Sequence, residues 1–269
     1  KGRFLGNAIT ITRNIFKTIG KPKPIKKNTI RNSESIFAND MMKRNNLIDT
    51  LRGFAIVNMV IYHLLFDLVY MENFKIEWFE NTPGMIWERF ICISFILISG
   101  YCFNLSHNHK KHTITLFIVA MILSVVTYFF ANEFFIVFGI IHLLCVASFI
   151  TIFVDKLTLN KKILCALSFV MFILTYKISS HPMDISTNLF SFVGFYNDKF
   201  YSGDYFPLLP WYFMYLVGYC AGDFLDIKLN VRENVLSKMG KKSLMIYLIH
   251  QPIIMIIVQI VKFLGGFNE

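Results

Sequence analysis

Residues 47–70 read LIDTLRGFAIVNMVIYHLLFDLVY. This is a nearly unbroken apolar stretch, and it exceeds the about 20 residues that a helix needs to cross a bilayer. It nevertheless carries Arg52, His63 and Asp67. Ionisable residues at bilayer depth are costly and mark function by default. Helical geometry groups them: eleven residues at 100° each bring Arg52 and His63 to within about 20° of one face, and Asp67 follows a turn later. One stripe therefore offers a cation at the helix start, an imidazole about 16 Å deeper and a carboxylate beyond it.

The remainder of the chain has the same apolar character. Of 269 residues, 55% are hydrophobic and 29 are Phe, and the mean hydropathy is +0.53. These values describe a polytopic membrane protein, not a soluble domain, and with helical spans the expected fold is an all-α transmembrane bundle. The net charge of +10 does not point to nucleic acid, because eleven Lys or Arg against Glu34 and Asp40 lie within residues 1–46. That basic arm has a Pro-Lys-Pro break at Pro22–Pro24. Its first half, through Phe4, Ile9 and Phe16, reads either as an amphipathic surface helix or as a tail. MKRNNLIDTLRG, from Met42, resembles a natural start, so residues 1–41 read as native or as an upstream extension. The five cysteines (Cys92, Cys102, Cys145, Cys165, Cys220) stand singly in apolar segments with no Cys-x-x-Cys and read as buried small hydrophobes.

About seven spans are expected in residues 47–269, at about 48–70, 83–105, 113–131, 134–154, 161–178, 206–226 and 243–264. Lys110 and Lys111, Lys156 to Lys162, and Lys228 to Lys242 fall on the side of the arm. The opposite loops are short or acidic, which predicts a cytoplasmic N-terminus and an external C-terminus. The longest external loop, Ser179–Tyr205, mixes aromatics with Asp and Asn, as a sugar site or an interfacial belt would.

Five stretches in order carry a family resemblance: DTLRGFAIVNMVIYH with its Arg-x10-His spacing, FILISGY (Phe95–Tyr101), FGIIHLL (Phe138–Leu144), DYFPLLPWYFMYLVGY (Asp204–Tyr219) and GKKSLMIYLIHQP (Gly240–Pro252). Together they resemble the bacterial membrane acyltransferase family related to heparan-α-glucosaminide N-acetyltransferase, within the transmembrane acyltransferase superfamily. The resemblance implies an enzyme of the bacterial cytoplasmic membrane, probed by no nucleic acid and needing no metal. It would move an acyl group, most often acetyl, from cytosolic acyl-CoA to a hydroxyl or amine of an extracytoplasmic glycan. The lysosomal member of the family uses a histidine after its first span. Met71–Thr82 contains no His, so the catalytic role that the resemblance implies for His63 rests on the Arg-x10-His spacing alone.

Each candidate residue has a functional reading and a plainer one. Arg52 suits the phosphates of acetyl-CoA at the cytoplasmic mouth, or is a flanking positive charge. His63 suits general-base work, or a bond between helices. Asp67, at i+4, would orient His63 as a triad carboxylate does, or lies at the interface. His250 and Gln251 would line the cytoplasmic half of the groove beside the CoA chain, or satisfy the kink at Pro252. His142, Asp204 and Trp211 are expected at the acceptor pocket, with Trp211 alternatively an interface anchor. Glu88 and Arg89, being adjacent, are expected to diverge, one inward and one to the interface. Two other classes compete: a glycan or lipid-intermediate transporter, for which no internal repeat is found, and a haem carrier ligated by His63, His142 and His250.

Overall fold

A computed structural model describes residues 46–106, 108–130, 135–177, 181–225 and 232–265. The basic arm, with its amphipathic expectation, lies outside them. The described residues are all-α, with nine helices and one 3-10 turn. The helices are α1 (Asn46–Tyr70), α2 (Glu77–Glu80), α3 (Thr82–Leu105), α4 (His109–Phe130), α5 (Ile140–Val154, continued by the 3-10 turn Asp155–Leu157), α6 (Lys161–Thr175), α7 (Leu208–Phe224), α8 (Val235–Lys241) and α9 (Ser243–Gly265). Five of the apolar segments, α1, α3, α4, α5 with its turn, and α9, are long and apolar enough to cross a membrane. The two remaining expected spans, α6 and α7, are helices of 15 and 17 residues.

Local chemistry sets the helix ends. Pro83 occupies the first turn of α3, where a missing N–H costs nothing. Asn160 Oδ1 accepts from the Lys162 and Ile163 amides at 3.0 and 3.4 Å and starts α6. At α8, the Ser237 amide donates to Asn234 Oδ1 at 2.8 Å while the Asn234 amide donates to Ser237 Oγ at 2.9 Å, a reciprocal capping box.

The helices meet through glycines. A Cβ on Gly218 of α7 would stand 2.1 Å from the Leu97 carbonyl of α3, and one on Gly100 of α3 would stand 2.1 Å from the Tyr215 carbonyl of α7. The same reciprocity joins α1 to α8, where Gly53 abuts the Leu236 carbonyl and Gly240 abuts the Asp49 carbonyl. Small residues at such crossings let backbones close in where no hydrophobic drive separates helix from lipid. Behind these seams Ile56, Ile96, Leu143, Tyr219 and Cys220 form a fully enclosed core. Large apolar side chains point outward on α4 (Ile114, Phe117, Ile118, Ile122), α6 (Ile163, Leu167, Ile173) and α9 (Ile253, Ile256, Ile260). An apolar exterior around a hydrogen-bonded helical interior is what a bilayer solvates, and the protein is an integral membrane protein.

The fourth span departs from expectation. It begins at Ile140 rather than near 134, because residues 135–138 run extended beside 203–206. Gly203 N–H donates to Phe135 O at 3.0 Å and Phe206 N–H donates to Phe138 O at 2.9 Å. The loop before α7 folds against this pair and then ties into α7 itself, with Leu208 and Leu209 amides donating to Phe192 and Val193 carbonyls, each at 2.9 Å. The Leu209–Pro210 peptide is cis.

Candidate active site

The polar residues of α1 sort into two clusters. Near the helix start, Arg52 Nη1 donates to Asp49 Oδ1 at 3.3 Å and Nη2 donates to Cys102 Sγ of α3 at 2.8 Å. Asp49 is buried, and 23% of the Arg52 side chain remains exposed. A guanidinium has five N–H donors in a planar fork, so these two bonds orient Arg52 and leave donors for a phosphate. His109 stacks on Phe103 with ring centroids 4.1 Å apart, at the end of α3 that carries Cys102.

The second cluster lies about eleven residues, or ~16 Å, further along α1. The His63 ring packs against that of His250 on α9, with centroids 4.9 Å apart at 58°. His250 Nδ1 donates to the Tyr247 carbonyl at 2.5 Å. Gln251 Nε2 donates to Asp67 Oδ2 at 2.9 Å, and Asp67 is 1% exposed. Tyr247 Oη donates to Asp204 Oδ2 at 3.0 Å, and that oxygen also accepts the Ile140 N–H that opens α5, again at 3.0 Å. Burial pushes the Asp204 carboxyl up, against those two hydrogen bonds, which favour its ionised form. One residue beyond Asp67, a cavity of about 330 Å³ opens between the far ends of α1 and α9, lined by Leu68, Asn73, Val258 and the Glu72–Lys262 ion pair at 3.0 Å.

Several expectations are corrected by this geometry. His250 and Gln251 stand at the level of His63 and Asp67, not at that of Arg52. The short helix α8 packs on the first turns of α1, so α9 begins further along α1. Asp67 accepts from Gln251, and the hydrogen bond expected to His63 is not formed. His142 lies in the first turn of α5, where Nδ1 accepts from the Gly139 N–H at 3.2 Å and Nε2 meets Ser124 Oγ at 3.1 Å. With Nδ1 an acceptor, Nε2 bears the proton and donates to Ser124, so the ring is a helix cap with both nitrogens committed. Asp204 shares that capping work. Trp211 is 4% exposed and packs on Phe172 and Phe206 as a core side chain, not as an interface anchor. Glu88 and Arg89 pair with each other at 3.8 Å, with both side chains part-exposed. The residues missed by sequence reasoning are Asp49, Cys102 and Tyr247. Asp49 stands at i−3 from Arg52 and Tyr247 at i−3 from His250, spacings that place neighbours on one helix face.

Fold and site together define a membrane protein whose interior holds a cationic cluster at the start of α1 and, further along it, an imidazole pair shared between α1 and α9. A family profile described as "Heparan-alpha-glucosaminide N-acetyltransferase, catalytic" matches residues 44–252, and the chain belongs to that family. Its function is therefore of the membrane acetyltransferase type. No curated protein matches the chain. No solved structure matches it either.

Proposed function

We propose that this protein transfers an acetyl group from cytosolic acetyl-CoA to an amine or hydroxyl of an extracytoplasmic glycan, in the cytoplasmic membrane of a bacterium. The arm lies inside, and seven spans carry the chain to an external C-terminus. Acetyl-CoA enters at the Arg52 end, where the guanidinium takes a phosphate by charge-assisted hydrogen bonds. The pantetheine arm follows the α1 stripe to His63, which serves as the acid–base group at the thioester. The acceptor arrives from the cavity beyond Asp67.

The observation that carries this reading is the placement of an oriented, part-exposed Arg52 and a half-buried His63 on one helix, ~16 Å apart. Pantetheine has the length to join such a phosphate site to such a reaction site. The supporting experiment is calorimetric binding of acetyl-CoA to the detergent-purified chain, beside Arg52→Ala. Saturable binding weakened tenfold or more, about the value of one charged hydrogen bond, is expected. A folded wild type that binds neither acetyl-CoA nor CoA would remove the donor from the proposal.

A further inference from the structure

Two histidines of this bundle are held in opposite ways. His142 has both ring nitrogens hydrogen-bonded, as a structural imidazole should. His250 has only one. Its Nδ1 must carry the proton, because its partner is the Tyr247 carbonyl. The lone pair is thereby fixed on Nε2, and that atom is buried with no hydrogen-bond partner among the described residues. Burying an unpaired acceptor is unfavourable, and such atoms in native interiors call for an explanation.

The surroundings hold this arrangement in place. The Tyr247 hydroxyl is tied to Asp204, so the carbonyl that sets the tautomer sits on an anchored turn of α9. The next residue, Gln251, spends its amide nitrogen on Asp67 and leaves Oε1 as a second buried acceptor with no partner among the described residues. Two adjacent open acceptors therefore stand on α9 facing α1, the first of them on the ring that packs against His63, and the cavity lined by Leu68 and Val258 lies further along both helices. A group that bears N–H or O–H hydrogens complements them; a phosphate or a thioester does not.

We propose that His250 is a second catalytic histidine, the base for the acceptor, and that Gln251 Oε1 helps to orient the same acceptor amine or hydroxyl. This inference rests on the acetyl-transfer reading above. The acceptor N–H or O–H gives its proton to His250 Nε2 as its nitrogen or oxygen bonds to the thioester carbonyl carbon. The C–S bond breaks, and its electron pair leaves with sulfur. The proton passes from His250 to one nitrogen of His63, while the other nitrogen of His63 protonates the departing thiolate. Both rings end neutral. His63 lies on the α1 donor stripe and serves the leaving group, whereas His250 serves the nucleophile.

The test uses the purified full chain with acetyl-CoA as donor and a soluble glucosaminide as acceptor probe, measuring kcat and acetyl-CoA Kd separately. His250→Gln is expected to lower kcat by about 10²- to 10⁴-fold, the usual contribution of a positioned base, with Kd unchanged. Added imidazole should restore part of the turnover of His250→Ala, which a merely structural histidine would not allow. Undiminished kcat, or a rise in Kd that accounts for the whole defect, overturns the proposal. Should these variants fail to fold, ¹⁵N-imidazole spectra of the wild type decide: a protonated Nδ1 with a bare Nε2 supports the assignment, and the reverse tautomer overturns it. Wild type that neither binds acetyl-CoA nor turns over overturns the parent reading and this one with it. An active wild type beside an equally active His250→Gln overturns this one alone.

Discussion

Gln251 shows how much one side chain settles at the deep end of the site. Its amide is the donor that the structure supplies to the Asp67 side chain, at 2.9 Å in a position 1% exposed. Gln251→Leu preserves bulk but strands that carboxyl, and leaving a buried acceptor unsatisfied costs about 1–3 kcal/mol. The expected result is a lower thermal midpoint in detergent, with Asp67→Asn much closer to wild type because its amide oxygen still accepts. Equal midpoints for wild type and Gln251→Leu would mean that the bond carries no net stability. Arg52 is organised similarly, with Asp49 and Cys102 each taking one donor and fixing the plane in which the rest of the fork is presented.

Elements explain what was legible beforehand and what was not. Hydropathy and length located every long helix, and α1 and α3 begin within two residues of their expected starts. The fourth span was misplaced because Phe134 to Phe138 is an apolar run, and a short apolar run does not distinguish extended chain from helix. The partner that decides it, Asp204, is 64 residues away from Ile140. His63 and Arg52 were legible because their relation lies within one helix. The level of His250 was not, because it depends on α8, which is seated on α1 by the Gly53 and Gly240 contacts and by Asn234 donating to Thr50 Oγ1 at 3.1 Å. Two predictions belong here. Gly218→Val puts a branched side chain where even a Cβ would be 2.1 Å from a carbonyl oxygen. It should cost at least the about 1–3 kcal/mol of overpacking, visible as loss of the folded fraction in size-exclusion profiles. At the α5 cap, the raised Asp204 carboxyl means that the folded state holds its proton more tightly than the unfolded chain does. That contribution is full below the ordinary carboxylate range near pH 4 and is lost as pH rises through the folded value. Asp204→Asn keeps an acceptor oxygen without the charge, so its stability measured from pH 4 to 8 should fall less steeply than that of wild type.

At the scale of the whole molecule, the outward apolar faces of α4, α6 and α9 require lipid around the bundle. The distribution of lysines sets which way it faces. In a background with serines replacing the native cysteines, Thr158→Cys should be shielded from an impermeant maleimide in intact cells, whereas Asn73→Cys should react. Both positions are exposed in the fold, so the pair reports orientation rather than burial. The reversed pattern would turn the proposed donor and acceptor sides around.

The pairing of α1 with α9 also bears on biosynthesis. Asp67 and Gln251 are separated by 184 residues of chain. At about 5–20 residues per second, a ribosome that has already delivered Asp67 needs roughly 10–40 s more to supply its partner. Until then the nascent chain holds one imidazole without the other and half of a carboxylate–amide pair. The proposed thioester chemistry would thus be withheld from every incomplete copy, with the order of translation as its safety catch.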